Sequence, residues 1–206
     1  MKLTLIFIFS ILCFISLLKA EPKDEWVLEI EQEGVRVYTQ LDESSPYKQI
    51  KVTTTINTSM DKVMEILMAF NKYKLWMFHV TESYLVNQLN SDTYYVFTLE
   101  DAAWPMQDRY QVSRIEHKQS SDGSSLHFKS VPNYIEKRVD AIQIKQYEGY
   151  WEVHDRPNHQ CTLEYFLIQN PGGHVPPWLS NFHAVENPYK SVVKLKELAE
   201  KESIHP

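Results

Sequence analysis

Asp101-Ala102-Ala103-Trp104-Pro105-Met106-Gln107-Asp108-Arg109 lies at a turn between two alternating apolar runs, and Pro171-Gly172-Gly173-His174-Val175-Pro176-Pro177-Trp178-Leu179-Ser180-Asn181 opens the last helical run. The first stretch reads as a strand corner. Proline fixes φ, a large ring packs beneath it, and Asp-Arg enters the next strand. In the second, glycines permit unusual φ and a proline suits the first helical turn, so a strand gives way to a helix.

Outward from these corners, period-2 alternation predicts strands near 79–89, 93–101, 108–118, 124–132, 141–154 and 160–170. Between them stand Asn90-Ser91-Asp92, Trp104-Pro105, Asp122-Gly123 and Arg156-Pro157-Asn158, all rich in turn formers. Three earlier runs, Trp26–Ile30, Val35–Thr39 and Ile50–Ile56, read as an antiparallel meander with a tight Glu33-Gly34 turn. Thr58 followed by Asp61 resembles a capping box, with Met60, Val63, Met64, Leu67 and Met68 at helical spacing behind it. Asn71 to Met77 predicts a second short helical turn. Beyond Pro177 the spacing predicts one helix to about Glu202, with a wide apolar stripe. The fold class is therefore α+β: a strongly curved antiparallel sheet wrapping an amphipathic C-terminal helix. The space between sheet and helix is either packed or hollow. Five Trp, twelve Tyr and nine Phe suit both a dense core and an apolar pocket lining.

Residues 1–20 read as a secretory signal peptide: Lys2, an apolar run from Leu3 to Leu18, then Lys19-Ala20. The run is short for a membrane span of roughly 20 residues, which favours cleavage after Ala20 over an uncleaved anchor. Leu12 before Cys13 is too bulky for lipoprotein processing. Residues 21–206 then form a single domain, exported to a periplasm or secreted. Losing Lys2 and Lys19 moves the formal charge from −6 to −8. So acidic a chain is unsuited to nucleic acid or to permanent docking on anionic lipid. Cys161 is the one thiol left, so the domain is held by its core and not by a disulfide.

Four stretches resemble the START (steroidogenic-acute-regulatory-related lipid transfer) domain family, above all its compact exported bacterial members. They are Gly34–Tyr38, Tyr73–Met77, Trp104–Arg109 and Pro171–Asn181, and the likeness spans roughly residues 24–200. The last two are specific in combination. The chain departs from the common bacterial pattern at Tyr110, where an acid is usual, and at Ala103, where proline is frequent. The resemblance implies a helix-grip fold, with about nine strands enclosing a tunnel lidded by the C-terminal helix. It also implies a monomer that reversibly binds one lipid or other hydrophobic small molecule, with transient membrane contact and with neither catalysis nor a cofactor.

Candidate ligand contacts follow from alternation and from these motifs. Phe97, Leu99, Leu163 and Tyr165 are the strand residues whose alternation is read as pointing inward. Trp178, Phe182 and Val185 lie on the helix stripe, as core or as lid. Trp104 either shapes the corner or touches ligand. Arg109 either anchors a polar head through its five donors or closes the hairpin with Asp101, Asp108 or Glu100. The Gly172-Gly173/Pro176-Pro177 corner is either rigid or a hinge. The eight histidines show no ligand-like pairing, and no phosphate loop or serine nucleophile motif appears. Two other functions compete with non-catalytic binding. One is a helix-grip enzyme of cyclase or hydrolase type, which a cavity carboxylate such as Glu100, with a raised pKa beside Tyr165, would favour. The other is an interaction module with a filled core.

Overall fold

The computed structural model describes residues 25–41, 45–102, 106–138, 140–173 and 175–201, apart from the side chain of His183. The expectations for residues 1–20, Trp104 and His174 lie outside these residues.

Ten strands form one curved sheet, antiparallel throughout its main path: β1 (Val27–Gln32), β2 (Val35–Gln40), β3 (Gln49–Ile56), β4 (Val80–Asn90), β5 (Thr93–Glu100), β6 (Asp108–Gln119), β7 (Gly123–Ser130), β8 (Ala141–Gln143), β9 (Gln146–Arg156) and β10 (Gln160–Asn170). The expected strand over 141–154 divides in two. The short β8 leaves the main path and pairs in parallel with β6. The remaining nine run in the order β1-β2-β3-β10-β9-β7-β6-β5-β4. The meander therefore joins the rest of the sheet through the pairing of β3 with β10, over 100 residues away in sequence. At the β1–β2 turn Glu33 and Gly34 both adopt positive φ (54° and 72°), which suits a tight two-residue hairpin.

Helix α1 (Met60–Met68) starts one residue later than the capping box suggested. Ser59 is the N-cap, its hydroxyl accepting from the Lys62 N–H at 3.4 Å, while Thr58 is buried. A 3₁₀ turn over Phe70–Leu75 follows. The single C-terminal helix is corrected to two, α2 (Pro177–His183) and α3 (Glu186–Lys201), with a turn at Ala184-Val185. Pro188 supplies the reason. It has no N–H to donate to Ala184, and its ring would clash with that carbonyl in a continuous helix.

Two clusters are buried. The larger lies inside the grip. Its rings pack in a chain: Tyr73 on Trp76, Trp76 edge-on to Trp151 at 5.6 Å, and Trp151 stacked on Tyr165 at 3.7 Å. Val192, Leu195 and Ala199 seal it from α3. The smaller lies on the opposite face of β5 and β6, where Phe97, Tyr110 and Val112 meet Ala141, with Leu99 and Ile135 packed against them. The segment leading into β8 thus covers the outer face of the sheet. Two apolar layers sandwich β6, and Arg109 to Ser113 are all buried.

Candidate functional site

Between the sheet and the C-terminal helices lies a cavity of about 420 Å³. Ile50 of β3 and Tyr165, Leu167 and Gln169 of β10 form one wall. Met77, Phe78, His79 and Val80 form a second. Leu179, Ser180, Asn181 and Ala184 from α2 and its end, with Asn187, Pro188 and Ser191 from α3, form a third. Packing fixes these walls. The Phe78 N–H donates to the Ser191 hydroxyl at 2.9 Å, and that hydroxyl donates to the Asn187 carbonyl at 2.7 Å. Gly172 and Gly173 take positive φ (69° and 67°) where the chain leaves β10. A Cβ on Gly173 would lie 2.9 Å from the Ile142 side chain, so the corner leans closely on β8.

Among the polar residues of the lining are two directly paired ones, Glu100 at the end of β5 and Arg109 near the start of β6. Burial pushes the Glu100 carboxyl up to about 7, although the His79 and Arg109 charges and a hydrogen bond from Gln169 pull it down. Desolvation pulls the Arg109 guanidinium down, while Glu100 and Asp108 pull it back up. Arg109 also donates to the Gln107 carbonyl. Its side chain therefore both braces the corner and faces the cavity. Within reach of the Glu100 charge, the Tyr147 and Tyr165 hydroxyls stand 3.4 Å apart, both held neutral by burial. At the rim, His79 Nδ1 lies 2.7 Å from an Asp101 carboxylate oxygen.

Of the residues singled out in the sequence, Arg109 and Tyr165 line this cavity. Leu163 shares the face of Tyr165 but packs in the filled part of the core. The inward reading of Phe97 and Leu99 is corrected. The β5 residues that face inward are Tyr94, Val96, Thr98 and Glu100, and the apolar Phe97 and Leu99 belong to the outer cluster. Alternation gives two faces but not which is inside, and here the outer face carries the larger apolar side chains because another layer covers it. Trp178 and Phe182 are corrected likewise: they are 71 % and 77 % exposed. With the helix broken at Ala184, Leu179 and Ser180 turn to the cavity and the aromatic pair turns outward, while Val185 packs against the main core. Sequence reasoning missed Tyr147, Leu167, Gln169 and Met77. For Leu167 and Gln169 the available signal was the alternation of β10 continued through Tyr165.

Among the described residues no cluster of His, Cys, Asp and Glu could hold a metal ion. Cys161 is buried, its thiol pushed up to about 11 chiefly by desolvation, which leaves it protonated and inert.

Comparison with known proteins places these features in a family. The chain is 25 % identical over 179 residues to the protein PA1579 of Pseudomonas aeruginosa, covering 86 % of this chain and 88 % of that one. It is 26 % identical over 178 residues to the phosphatidylcholine transfer protein of Rattus norvegicus, covering 82 % and 81 %. The structure superposes on that of a STAR-related lipid transfer protein from Xanthomonas axonopodis with a TM-score of 0.80 and 25 % identity, covering 85 % of this chain and 99 % of that fragment. The family model for the START domain matches residues 12–187, most of the chain, and the protein belongs to the START domain family.

Proposed function

We propose that this protein binds one hydrophobic molecule, a lipid or sterol-like ligand, in the cavity between sheet and helices and carries it between membranes without altering it. The cavity is the observation that carries the reading. About 420 Å³ lies within the range of small-molecule sites, and the surface of its lining is largely apolar, with the Glu100–Arg109 pair among its polar groups. Such a volume argues against an interaction module with a filled core. Each buried methylene contributes about 0.8 kcal/mol, and the polar pair orients the head. The names of the phosphatidylcholine transfer protein and the STAR-related lipid transfer protein favour lipid as cargo. Helix α2 serves as the lid, and the exposed Trp178 and Phe182 beside it serve as the membrane contact, since aromatic side chains favour the lipid–water boundary. Residues 1–20 direct export and are then removed, and the chain works as a monomer in a periplasmic or extracellular compartment.

Native mass spectrometry of protein purified from its own host tests this. The expected species starts at Glu21 and carries one non-covalent hydrophobic molecule. Protein that arrives empty and takes up no lipid from vesicles would overturn the binding reading. A species retaining residues 1–20 would overturn export.

Glu100 supports a second reading. A carboxyl pushed up to about 7 and facing the cavity near Tyr147 and Tyr165 is the kind of group a helix-grip cyclase or hydrolase would use as acid or base. Comparing the molecules extracted from wild type and from Glu100→Gln separates the two. Identical molecules support binding alone, whereas a chemically different, unprocessed molecule in the variant supports catalysis.

A further inference from the structure

Beyond the main cavity, deeper in the grip, lies a second chamber of about 30 Å³. Met77 and Tyr147 line both spaces, so these two side chains form the partition between them. Most of the small chamber is apolar, with Val96, Ile115, Leu126 and Phe128 among its walls. Three polar side chains interrupt that lining: Thr98, Gln111 and Ser113. Thr98 and Gln111 are directly opposite in the β5–β6 ladder, and Ser113 lies two residues further along the same face. The Thr98 hydroxyl, the Gln111 side-chain oxygen and the Ser113 hydroxyl are all buried and all lack a hydrogen-bond partner. By contrast, the Tyr73 hydroxyl at the same chamber donates to the Leu67 carbonyl, and the Tyr147 hydroxyl meets that of Tyr165.

Three orphaned oxygens on one patch are unusual, because buried polar groups are nearly always paired and unpaired ones are costly. A strand face that packs only against hydrocarbon has no use for them. Their partner must be small, since the chamber holds one water-sized group. It must be uncharged, since no Lys, Arg, His, Asp or Glu lines the chamber. It must donate, since an amide oxygen only accepts, and it gains by accepting too, since both hydroxyls can donate. A single alcohol group satisfies all of these conditions. We propose that Thr98, Gln111 and Ser113 form a hydroxyl-recognition site at the blind end of the cavity, which selects hydrophobic ligands whose leading end carries one uncharged hydroxyl. Water fills the chamber when no ligand is bound, and the ligand displaces it past Tyr147 and Met77. The proposal rests on the binding reading above and adds the chemistry of the ligand's inner end.

The test uses two isomers, 1-dodecanol and 1-methoxyundecane, competing with the uncharged fluorophore N-phenyl-1-naphthylamine for the wild-type protein. The isomers match in size and composition, but the ether cannot donate. Wild type is expected to prefer the alcohol by about 5- to 10-fold, the worth of one or two neutral hydrogen bonds. In Thr98→Val/Gln111→Leu/Ser113→Ala the preference of alcohol over ether should fall below about 2-fold. Equal binding of both isomers to wild type would mean that the chamber holds only water and would overturn the proposal, whether or not the variant folds. A preference that survives in the triple variant, or in Gln111→Leu and Thr98→Val separately, would place hydroxyl recognition elsewhere and overturn it too. Failure of fluorophore and both isomers to bind at all would remove the binding reading itself, and this inference with it.

Discussion

The side chain of Asn181 in α2 accepts a hydrogen bond from the Lys48 N–H at 2.9 Å, and its amide donates to the Pro46 carbonyl at the same distance. Two bonds thus pin the proposed lid to the loop before β3, across the mouth of the cavity. Asn181→Leu removes both. Neutral hydrogen bonds are worth about 0.5–1.5 kcal/mol each, so ligand release should quicken by roughly 10-fold, with smaller changes in association. Stopped-flow dissociation of a fluorescent lipid reads this directly. An unchanged rate would show that the lid opens somewhere other than at Asn181.

Glu100 makes stability depend on pH in a defined direction. Its carboxyl is raised from 4.5 to about 7 by desolvation, so the fold prefers the protonated form. The associated stability is fully present below about pH 4.5 and is lost as pH rises through about 7. At about 1.4 kcal/mol per pKa unit this amounts to a few kcal/mol. His127, pushed down mainly by desolvation, works the opposite way, so the comparison must be made against Glu100→Gln. Denaturant titrations from pH 5 to 8 should show wild type losing ground to the variant as pH rises. Parallel curves would contradict the buried carboxyl.

Arg109→Met removes the cation facing Glu100 and the brace on the Gln107 carbonyl. Stability should fall by roughly 1–5 kcal/mol, the usual range when one partner of a buried charged cluster is lost. The Glu100 carboxyl should also titrate higher than in wild type, because a favourable charge has gone. Carbon-13 NMR of the labelled carboxyl measures the midpoint, and a midpoint that stays in place would show that the two groups do not sense each other.

Trp178 and Phe182 stand outside the cavity lining, so their role should separate cleanly from ligand affinity. Trp178→Ser/Phe182→Ser should change stability by no more than about 0.5 kcal/mol and leave the dissociation constant for a dissolved ligand unaltered. Co-sedimentation with phosphatidylcholine vesicles and transfer between them should both fall. Loss of dissolved-ligand affinity instead would mean that the pair turns inward when ligand is bound.

Gly149 in β9 touches the neighbouring strand so closely that a Cβ would lie 1.9 Å from the Phe166 carbonyl oxygen. The obstacle is backbone, which cannot swing aside as a side chain can. Gly149→Ala should therefore cost more than the about 1–3 kcal/mol typical of overpacking, read as a fall in the urea midpoint.

Much of the fold was legible because strands are local and periodic. The β4, β5, β6, β7 and β10 ranges follow the alternation of Val80–Asn90 onward to within a residue or two, with turn formers between them. The helix break was legible in principle from Pro188 but hidden by the long apolar stripe that runs through it. Arg109 and Tyr165 reached the cavity because each belongs to a marked context, a corner motif and the alternating last strand. Phe97 and Trp178 did not, since strand alternation and a helix stripe mark a face without saying which side is inward, and this protein keeps some of its largest side chains outside its cavity.

By itself, then, the sequence determined what short-range sterics and periodicity can specify: strand positions, the Glu33-Gly34 hairpin, the corner at Gly172-Gly173, and family membership through its motifs. Only the tertiary structure decided which face of each strand looks inward, because both faces of β5 and β6 are covered and alternation has no sign. Closure of the meander onto β10 likewise depends on a pairing across more than 100 residues, which no local pattern encodes. The hollow itself is a difference between filled and available volume. That quantity exists only once Trp76, Trp151 and Tyr165 have stacked at one end of the grip and left the end beside Glu100 and Arg109 open.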